Sequence, residues 1–517
     1  MIRAIKQRIF SDPSANYGRL FLAAAYILIF AKMSGKISDA SKRCHWISFS
    51  DPALIVSLAI VLLVNVIFLI VACNWSRIIR VPVSFLFLIL PFAFYLALLV
   101  NALLFHWNDF FVLIGLLVFL ISYALIAKKD PVKQDNAGLT AGWGNWVYLL
   151  IVVFIVHGVL LFLGQNFKVD RLPFADENSF WYVAARTISE KGFLVAHQSG
   201  YPGGGLHPLG VPFLSALPGI LFHSTSPAIP FFMPVYVLIG ITLVLLEFAD
   251  QRLEWSIVFF LVAWFASFNN RSWSGSLFYS MVYGESVSMV LVLSLLNWFV
   301  GTGSDETCRS WWLSGFLMGL LLLTKFPLIL LSAAFFAAFL TKNRANLKNF
   351  RKISLMIILF FVPFFILKIF QMKYGGSIAA VGNDANMDLQ KLLSPNADLL
   401  RRVVSNIAIY ADNLAYYFSV SVIFSVFCCK RWRYGWPVII WVSFLFIHYA
   451  YLYSYGSTGL GDAASGLRYF LPACGGFFLI GSYGFAGLID RIKRMGNIWV
   501  QPALYITCLA VIFYKFF

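Results

Sequence analysis

The chain is punctuated by apolar runs whose length matches the thickness of a lipid bilayer. Ala53 to Cys73, Val81 to Phe105 and Ile353 to Phe370 are each near the ~20 residues a helix needs to cross a hydrocarbon core. Several more follow. Inside a bilayer every backbone N–H and C=O must be satisfied within the protein, so runs of this length can only be helices. Of 517 residues 61% are hydrophobic and only 12% are charged, too little charge to cover a soluble protein of this length. The expected fold class is therefore all-α: a polytopic transmembrane helical bundle of about 13 to 15 spans, with external loops carrying short juxtamembrane helices.

A formal net charge of +17 would suit a nucleic-acid partner if the basic residues lined one soluble face. They sit instead in short clusters between apolar runs, so no nucleic-acid role is expected and the clusters read as topology signals. The seven cysteines, Cys44, Cys73, Cys308, Cys428, Cys429, Cys474 and Cys508, lie mostly in or beside apolar runs, without metal-ligand or disulfide spacing. No solenoid-length repeat is visible.

The positive-inside rule orients the runs. Arg3, Lys6 and Arg8 place the N-terminus in the cytoplasm, and 17–33 reads as a retained span. With further spans near 53–73, 82–104, 110–127 and 146–164, the clusters Arg77, Arg80 and Lys128, Lys129, Lys133 fall inside. The loop with Lys36, Lys42 and Arg43 runs against this rule. In the far half, the basic loops around Lys342 to Lys352, Lys430 to Arg433 and Arg491 to Arg494 are also expected inside. External loops then lie near 165–210, 269–284, 371–411 and 454–467. Between Pro208 and Lys342 five crossings are expected, near 229–248, 255–268, 277–300, 311–324 and 326–340, with Val211 to Phe222 a partly embedded connector. The alternative makes 211–222 a crossing and 311–340 one long helix.

The polar interval Asp170 to Pro208, with its YPGGGLHP turn, is flanked by apolar runs. Asp176 and Glu177 open a helix-like segment, since carboxylates favour a helix N-terminus. Along it Asn178, Tyr182, Arg186 and Glu190 recur at i, i+4 as a polar stripe, opposite an apolar face of Trp181, Ala184, Ala185 and Ile188. A short helix of this kind can lie on a membrane surface. Adjacent carboxylates raise each other's pKa, which suits one of them to accept a proton near neutral pH; simple partnership with the helix dipole is the competing reading.

Among the 22 acidic residues, Glu247 and Glu285 sit inside apolar runs, where a charge costs about 2.5 to 3.5 kcal/mol at a helix centre. Glu247 is near a span end and reads as solvated. Glu285, in MVYGESVSMVL, is expected to face a polar cavity or be held at an interface. Lys325 in LLLTKFPLILL and Arg468 in ASGLRYFLPAC are either snorkelling anchors or cations for an anionic headgroup. His197, His207 and Tyr201 surround the glycine-rich turn, which reads as an ordinary loop with exposed histidines or as a flap over a site. The triple glycine follows no strand, so a nucleotide-binding loop is not expected.

These motifs taken in order, FADENSFWYVA, HPLGVP, YGESVSM at a span start, LLTKFP in a broken span and RYFLP near the end, resemble the C-type fold of integral-membrane glycosyltransferases. That superfamily includes the lipid A aminoarabinose transferases and the protein mannosyltransferases. The resemblance covers roughly residues 146–489 as a glycosyltransferase-like core, leaving 1–145 as N-terminal spans outside the usual pattern and 490–517 as a C-terminal span. It implies sugar transfer from a polyprenyl-phosphate donor to a lipid, glycan or protein acceptor at the outer face of the inner membrane. It assigns Asp176 as base with Glu177 as its neighbour and Glu285 as a second acid where the family often has Asp; beside it, the charge reading of the residues puts Arg468, with Lys325, on the donor phosphate. Tyr182, His207, Tyr283 and Tyr469, which flank the motifs, are assigned to substrate binding. A single acid pair can hold a divalent ion, Mg or Mn, or none, and no metal-ligand cluster is evident. An apolar cleft built from some of the 53 phenylalanines suits a long isoprenoid among the surrounding lipids.

Two rival readings differ in where the charges belong. A transporter or flippase of a lipid-linked or anionic substrate would carry them near the bilayer midplane on interrupted helices. A polysaccharide polymerase or ligase would use a lipid-diphosphate donor and arginine-rich external loops, of which Arg401 and Arg402 offer a thin version.

Overall fold

The computed structural model describes residues 52–79, 81–127, 181–198, 209–222, 311–324 and 350–374, with isolated helical positions between 232 and 244, 287 and 298, 400 and 408, and 503 and 510. Every element among the described residues is helical. In chain order they are α1 (Pro52–Ile79), α2 (Val83–Leu104), α3 (Asp109–Ala127), α4 (Tyr182–Lys191), α5 (Phe193–His197), α6 (Gly210–Phe222), α7 (Trp311–Leu320) with a terminal 3-10 turn (Leu321–Leu323), and α8 (Phe350–Tyr374). Three of them, α1, α2 and α8, are long and apolar enough to cross a membrane. The chain is thus a helical membrane protein. Large apolar side chains stay exposed along α3 and α8, among them Phe111, Phe119, Ile126, Ile358 and Phe365, as expected of surfaces that meet lipid.

The first three helices form an up-down-up hairpin series. Phe68 of α1 meets Phe94 of α2 edge-on, with ring centroids 5.3 Å apart, so the pair runs antiparallel from the short turn at 80–82. Ser76 donates to the Val81 carbonyl at 2.6 Å and tightens that turn. Trp75 near the end of α1 donates its indole N–H to Leu120 O of α3 at 2.9 Å and stacks on Tyr123. The C-terminal ends of α1 and α3 therefore lie together, at the end of the bundle where Arg77 sits and where α3 leads to Lys128.

Helix α2 is the most enclosed of the long helices: Phe85, Phe87, Phe92, Phe94 and Tyr95 are all fully buried. Besides its hairpin partners it packs against α6, α7 and α8. Further along, Ser84 hydrogen-bonds Ser294 at 2.7 Å and Tyr236 donates to Leu88 O at 2.5 Å. At its other end Tyr374 of α8 donates to Ala102 O at 2.8 Å and Lys373 to Leu103 O at 3.2 Å. The C-termini of α2 and α8 thus finish side by side, and exposed Arg351 and Lys352 at the start of α8 fall at the opposite, basic end.

Helices α7 and α8 make the most extensive pairing among the described elements. Gly315 lies on the Met356 carbonyl and Gly319 on the Phe360 carbonyl, so close that a methyl group at either glycine would collide with backbone. Two glycines four residues apart let helix backbones touch, the small-xxx-small packing of membrane helices. Because both positions advance by four in the same sense, α7 and α8 run parallel. The crossing expected at 326–340, and with it the choice between two crossings and one long helix, lies outside the described residues. The 3-10 turn and Thr324, whose hydroxyl bonds back to Leu321 O at 2.6 Å, break the helix where LLLTKFP suggests a break.

Gly319→Leu is expected to cost about 1 to 3 kcal/mol through overpacking against backbone that cannot yield, read as a lower thermal midpoint of the detergent-solubilised protein. Gly115→Ala, where nothing lies within 4 Å of the added carbon, is expected to leave the midpoint unchanged or raise it slightly.

Candidate functional site

Two short helices from within the polar interval, α4 and α5, and the helix that follows it, α6, are seated in the bundle. Helix α4 starts at Tyr182 and ends on Gly192, whose φ of 100° and N–H bond to Ile188 O form a left-handed C-terminal cap. The expected faces of α4 are found: Ala184, Ala185 and Ile188 are buried, Arg186 and Glu190 are exposed and ion-paired at 2.8 Å. An exposed pair at this spacing contributes only about 0.3 to 0.5 kcal/mol. Helix α4 packs on α6, so its apolar face is covered by protein and not laid on the membrane surface.

Helix α5 is held at both ends by residues from the first hairpins. At its start the Asp109 carboxylate, at the head of α3, accepts the Phe193 N–H at 3.2 Å. At its end His197 lies 3.0 Å from the Tyr95 hydroxyl in the middle of α2. His197 is 2% exposed, which corrects the expectation of an exposed loop histidine. Burial is tolerated because both ring nitrogens are partnered. Nδ1 lies 2.9 Å from the Phe193 carbonyl, which can only accept, so Nδ1 carries the proton and Nε2 accepts from Tyr95. The Tyr95 oxygen in turn accepts the Leu209 N–H at 3.1 Å. Phe193, Phe213 and Phe370 close around this network, with Phe370 edge-on to the imidazole at 4.9 Å.

Helix α6 begins at this hub. Gly210 rests on the Leu323 carbonyl and lies close to the Phe92 ring, leaving no room for a side chain. Phe213 packs on Tyr95 at 5.5 Å. The pairs Gly210–Phe92 and Phe213–Tyr95 advance together, so α6 starts level with the middle of α2 and follows its direction, buried from Gly210 to Ile220. The expected embedded connector at 211–222 is thus a helix enclosed up to Ile220, with Phe222 exposed at its end. Its start meets the 3-10 turn that precedes Lys325.

Of the residues assigned to the site from sequence, Tyr182 is the one that falls within the described residues, half-buried in the first turn of α4. Asp176, Glu177, His207, Tyr283, Glu285, Lys325, Arg468 and Tyr469 lie outside them. Arg401 is described, on an exposed helical position. No group of three or more metal-ligating side chains occurs among the described residues.

Three polar residues at this end of the bundle escaped the sequence reading. Tyr95 sits in an unbroken apolar run, and Asp109 looks like an ordinary first-turn acid. Gln371 of α8, beside Phe370, is 3% exposed with neither amide atom partnered. A polar residue just inside the end of a span was the available signal for Gln371; for Tyr95 there was none, since a core aromatic reads the same way. No protein-family model matches the chain, and neither the curated proteins nor the solved structures provide a match.

Burial lowers the His197 pKa from 6.5 to about 4, partly offset by the bond to Phe193 O. The unfolded chain therefore takes up this proton first as pH falls. Stability is expected to be unaffected by His197 above about pH 7, to drop from about pH 6.5 downwards, and to have lost on the order of 3 kcal/mol by about pH 4. Thermal midpoints across that range should show the loss, and His197→Gln, which does not titrate, should flatten it while lowering the plateau.

Proposed function

We propose that the protein is a membrane glycosyltransferase that moves a sugar from a polyprenyl-phosphate donor to an acceptor hydroxyl, with inversion at the anomeric carbon. The observation that carries the reading is the contact of Gly210 with the Leu323 carbonyl. It joins HPLGVP, whose Gly210 starts α6, to LLLTKFP, two of the motifs on which the resemblance rests, although they are far apart in the chain. The basic end of the bundle, with Arg351 and Lys352, is assigned to the cytoplasm. Asp109, α5 and the end of α8 then belong to the opposite face, together with the polar interval.

In this reading Asp176 removes the proton from the acceptor hydroxyl as its oxygen attacks the anomeric carbon. The new C–O bond forms opposite the one that breaks, and the polyprenyl phosphate departs with the bonding pair. A phosphate leaving group needs charge neutralisation more than protonation, which falls to Arg468 with Lys325; Glu177 and Glu285 shape the field around the base. Tyr182, on the first turn of α4, stands with His207, Tyr283 and Tyr469 on the sugar or acceptor side. The lipid tail lies between spans among phenylalanines.

One observation favours a second reading. The helix α7 ends in its 3-10 turn beside the start of the enclosed helix α6, and helix ends meeting inside a bundle also build substrate sites in transporters. A flippase of lipid-linked sugars would move its substrate without changing it.

Asp176→Asn is expected to abolish transfer, by 10²-fold or more for loss of a general base, while the protein still inserts and binds donor. Glu285→Gln is expected to lower turnover without lowering the amount of protein. The measurement is the envelope glycolipid and glycan profile of cells carrying each variant, with sugar transfer assayed in their membranes. Full activity in Asp176→Asn removes that residue from the mechanism; translocation of lipid-linked sugar without transfer selects the flippase.

A further inference from the structure

The polar interval is anchored by residues of α2 and α3, both from the N-terminal stretch that the resemblance leaves outside the family pattern. Helix α5 is five residues long, far too short to be stable alone. Its backbone N–H at Phe193 ends on Asp109, its C-terminal residue His197 on Tyr95, and the same Tyr95 oxygen takes the Leu209 N–H one residue before α6. Two side chains thus fix three backbone or ring positions on either side of the glycine-rich turn. Their alternatives are poor: with Tyr95 lacking its hydroxyl, His197 Nε2 and Leu209 N–H would both be buried without a partner. The Gly192 cap brings the chain into α5 at a φ that other residues rarely adopt, and a Cβ added there would lie 3.8 Å from Asp109 Oδ2.

We infer that Asp109 and Tyr95 are positioning residues for the proposed transfer reaction: they hold α5 and the start of α6 in register, and through the packing of α5 on α4 they place Tyr182. The first hairpins are therefore part of the active unit, and neither residue touches substrate. The link to activity rests on the glycosyl-transfer reading; the anchoring does not.

The test separates the two. In the full chain with its native cysteines replaced, Ala196→Cys places a thiol at a buried position on α5 (1% exposed), so its reaction with a maleimide in the solubilised protein reports how often α5 detaches. Asp109→Ala is expected to raise that rate about five-fold, as for loss of roughly one net hydrogen bond, and Tyr95→Phe, which removes two, about 25-fold; both are expected to lower sugar transfer in membranes containing normal amounts of protein. Asp109→Asn, which keeps an oxygen to accept the Phe193 N–H, is expected to restore both readings to near wild type. Unchanged labelling in both Asp109→Ala and Tyr95→Phe overturns the anchoring. Asp109→Asn with wild-type labelling but no activity leaves the anchoring and overturns the positioning role, because the charge of Asp109 then takes part in the chemistry. If wild-type cells and cells without the gene have identical envelope glycans, the glycosyl-transfer reading fails, and the labelling rates alone decide whether Asp109 and Tyr95 anchor α5.

Discussion

A hydroxyl group in the middle of an apolar helix has to be satisfied from within the protein, and at Tyr95 that requirement organises the described bundle. Fully buried in α2, the hydroxyl donates to an imidazole and accepts from a backbone amide. One partner, His197, comes from the polar interval and the other, the Leu209 amide, from the residue just after it, so the chain on both sides of the glycine-rich turn must descend to the level of Tyr95. Three phenylalanines exclude competing water and strengthen the same bonds. Remove the hydroxyl and the short helices keep their sequence but lose the reason to sit where they do.

Around that hub the two ends of the described bundle differ. Arg351 and Lys352 lie where α8 begins; the end where α2 and α8 finish carries Asp109, Lys373, α5 and the unpaired amide of Gln371. The glycine contacts of α7 with α8 and of α6 with the 3-10 turn after α7 are backbone to backbone, so these elements meet at distances that side chains elsewhere prevent. Helix α6 is consequently locked between α2 and the broken end of α7, which bears directly on how two distant sequence motifs come to share one place.

Much of this architecture is legible in residue order because bilayer thickness and hydrophobic period are strong constraints. The runs at 53–73, 82–104, 110–127 and 353–370 become helices within a few residues of their expected limits, and the i, i+4 stripe of α4 has its buried and exposed faces as patterned. The glycine pair at 315 and 319 was readable as a close-packing signal but drew no attention beside the charged motifs. Long-range polar contacts are another matter. Nothing in the local pattern around Tyr95 distinguishes a hydrogen-bonded hub from one more core aromatic, and His197 looks solvated until its partners from α2 and its own helix are in place. Asp109 illustrates the same limit: its role depends on an amide 84 positions away, and local spacing carries no trace of it. Attention to rare carboxylates found Asp176, Glu177 and Glu285, which fall outside the described residues, while the described carboxylate at the convergence serves a backbone.

The turn between α2 and α3 has a mechanical consequence of its own. Asn101 grips Trp107 with both amide atoms, accepting its N–H at 3.0 Å and donating to its carbonyl at 2.8 Å, while His106 takes a left-handed φ of 56° between them. The clasp is stiff, and it thrusts Phe105 and Trp107 outward, 52% and 65% exposed. Aromatic rings of this kind settle at the boundary between headgroups and acyl chains. Because the clasp is continuous with α2, those two rings act as a float, and the depth at which they ride sets how far below the waterline the Tyr95 hydroxyl is carried.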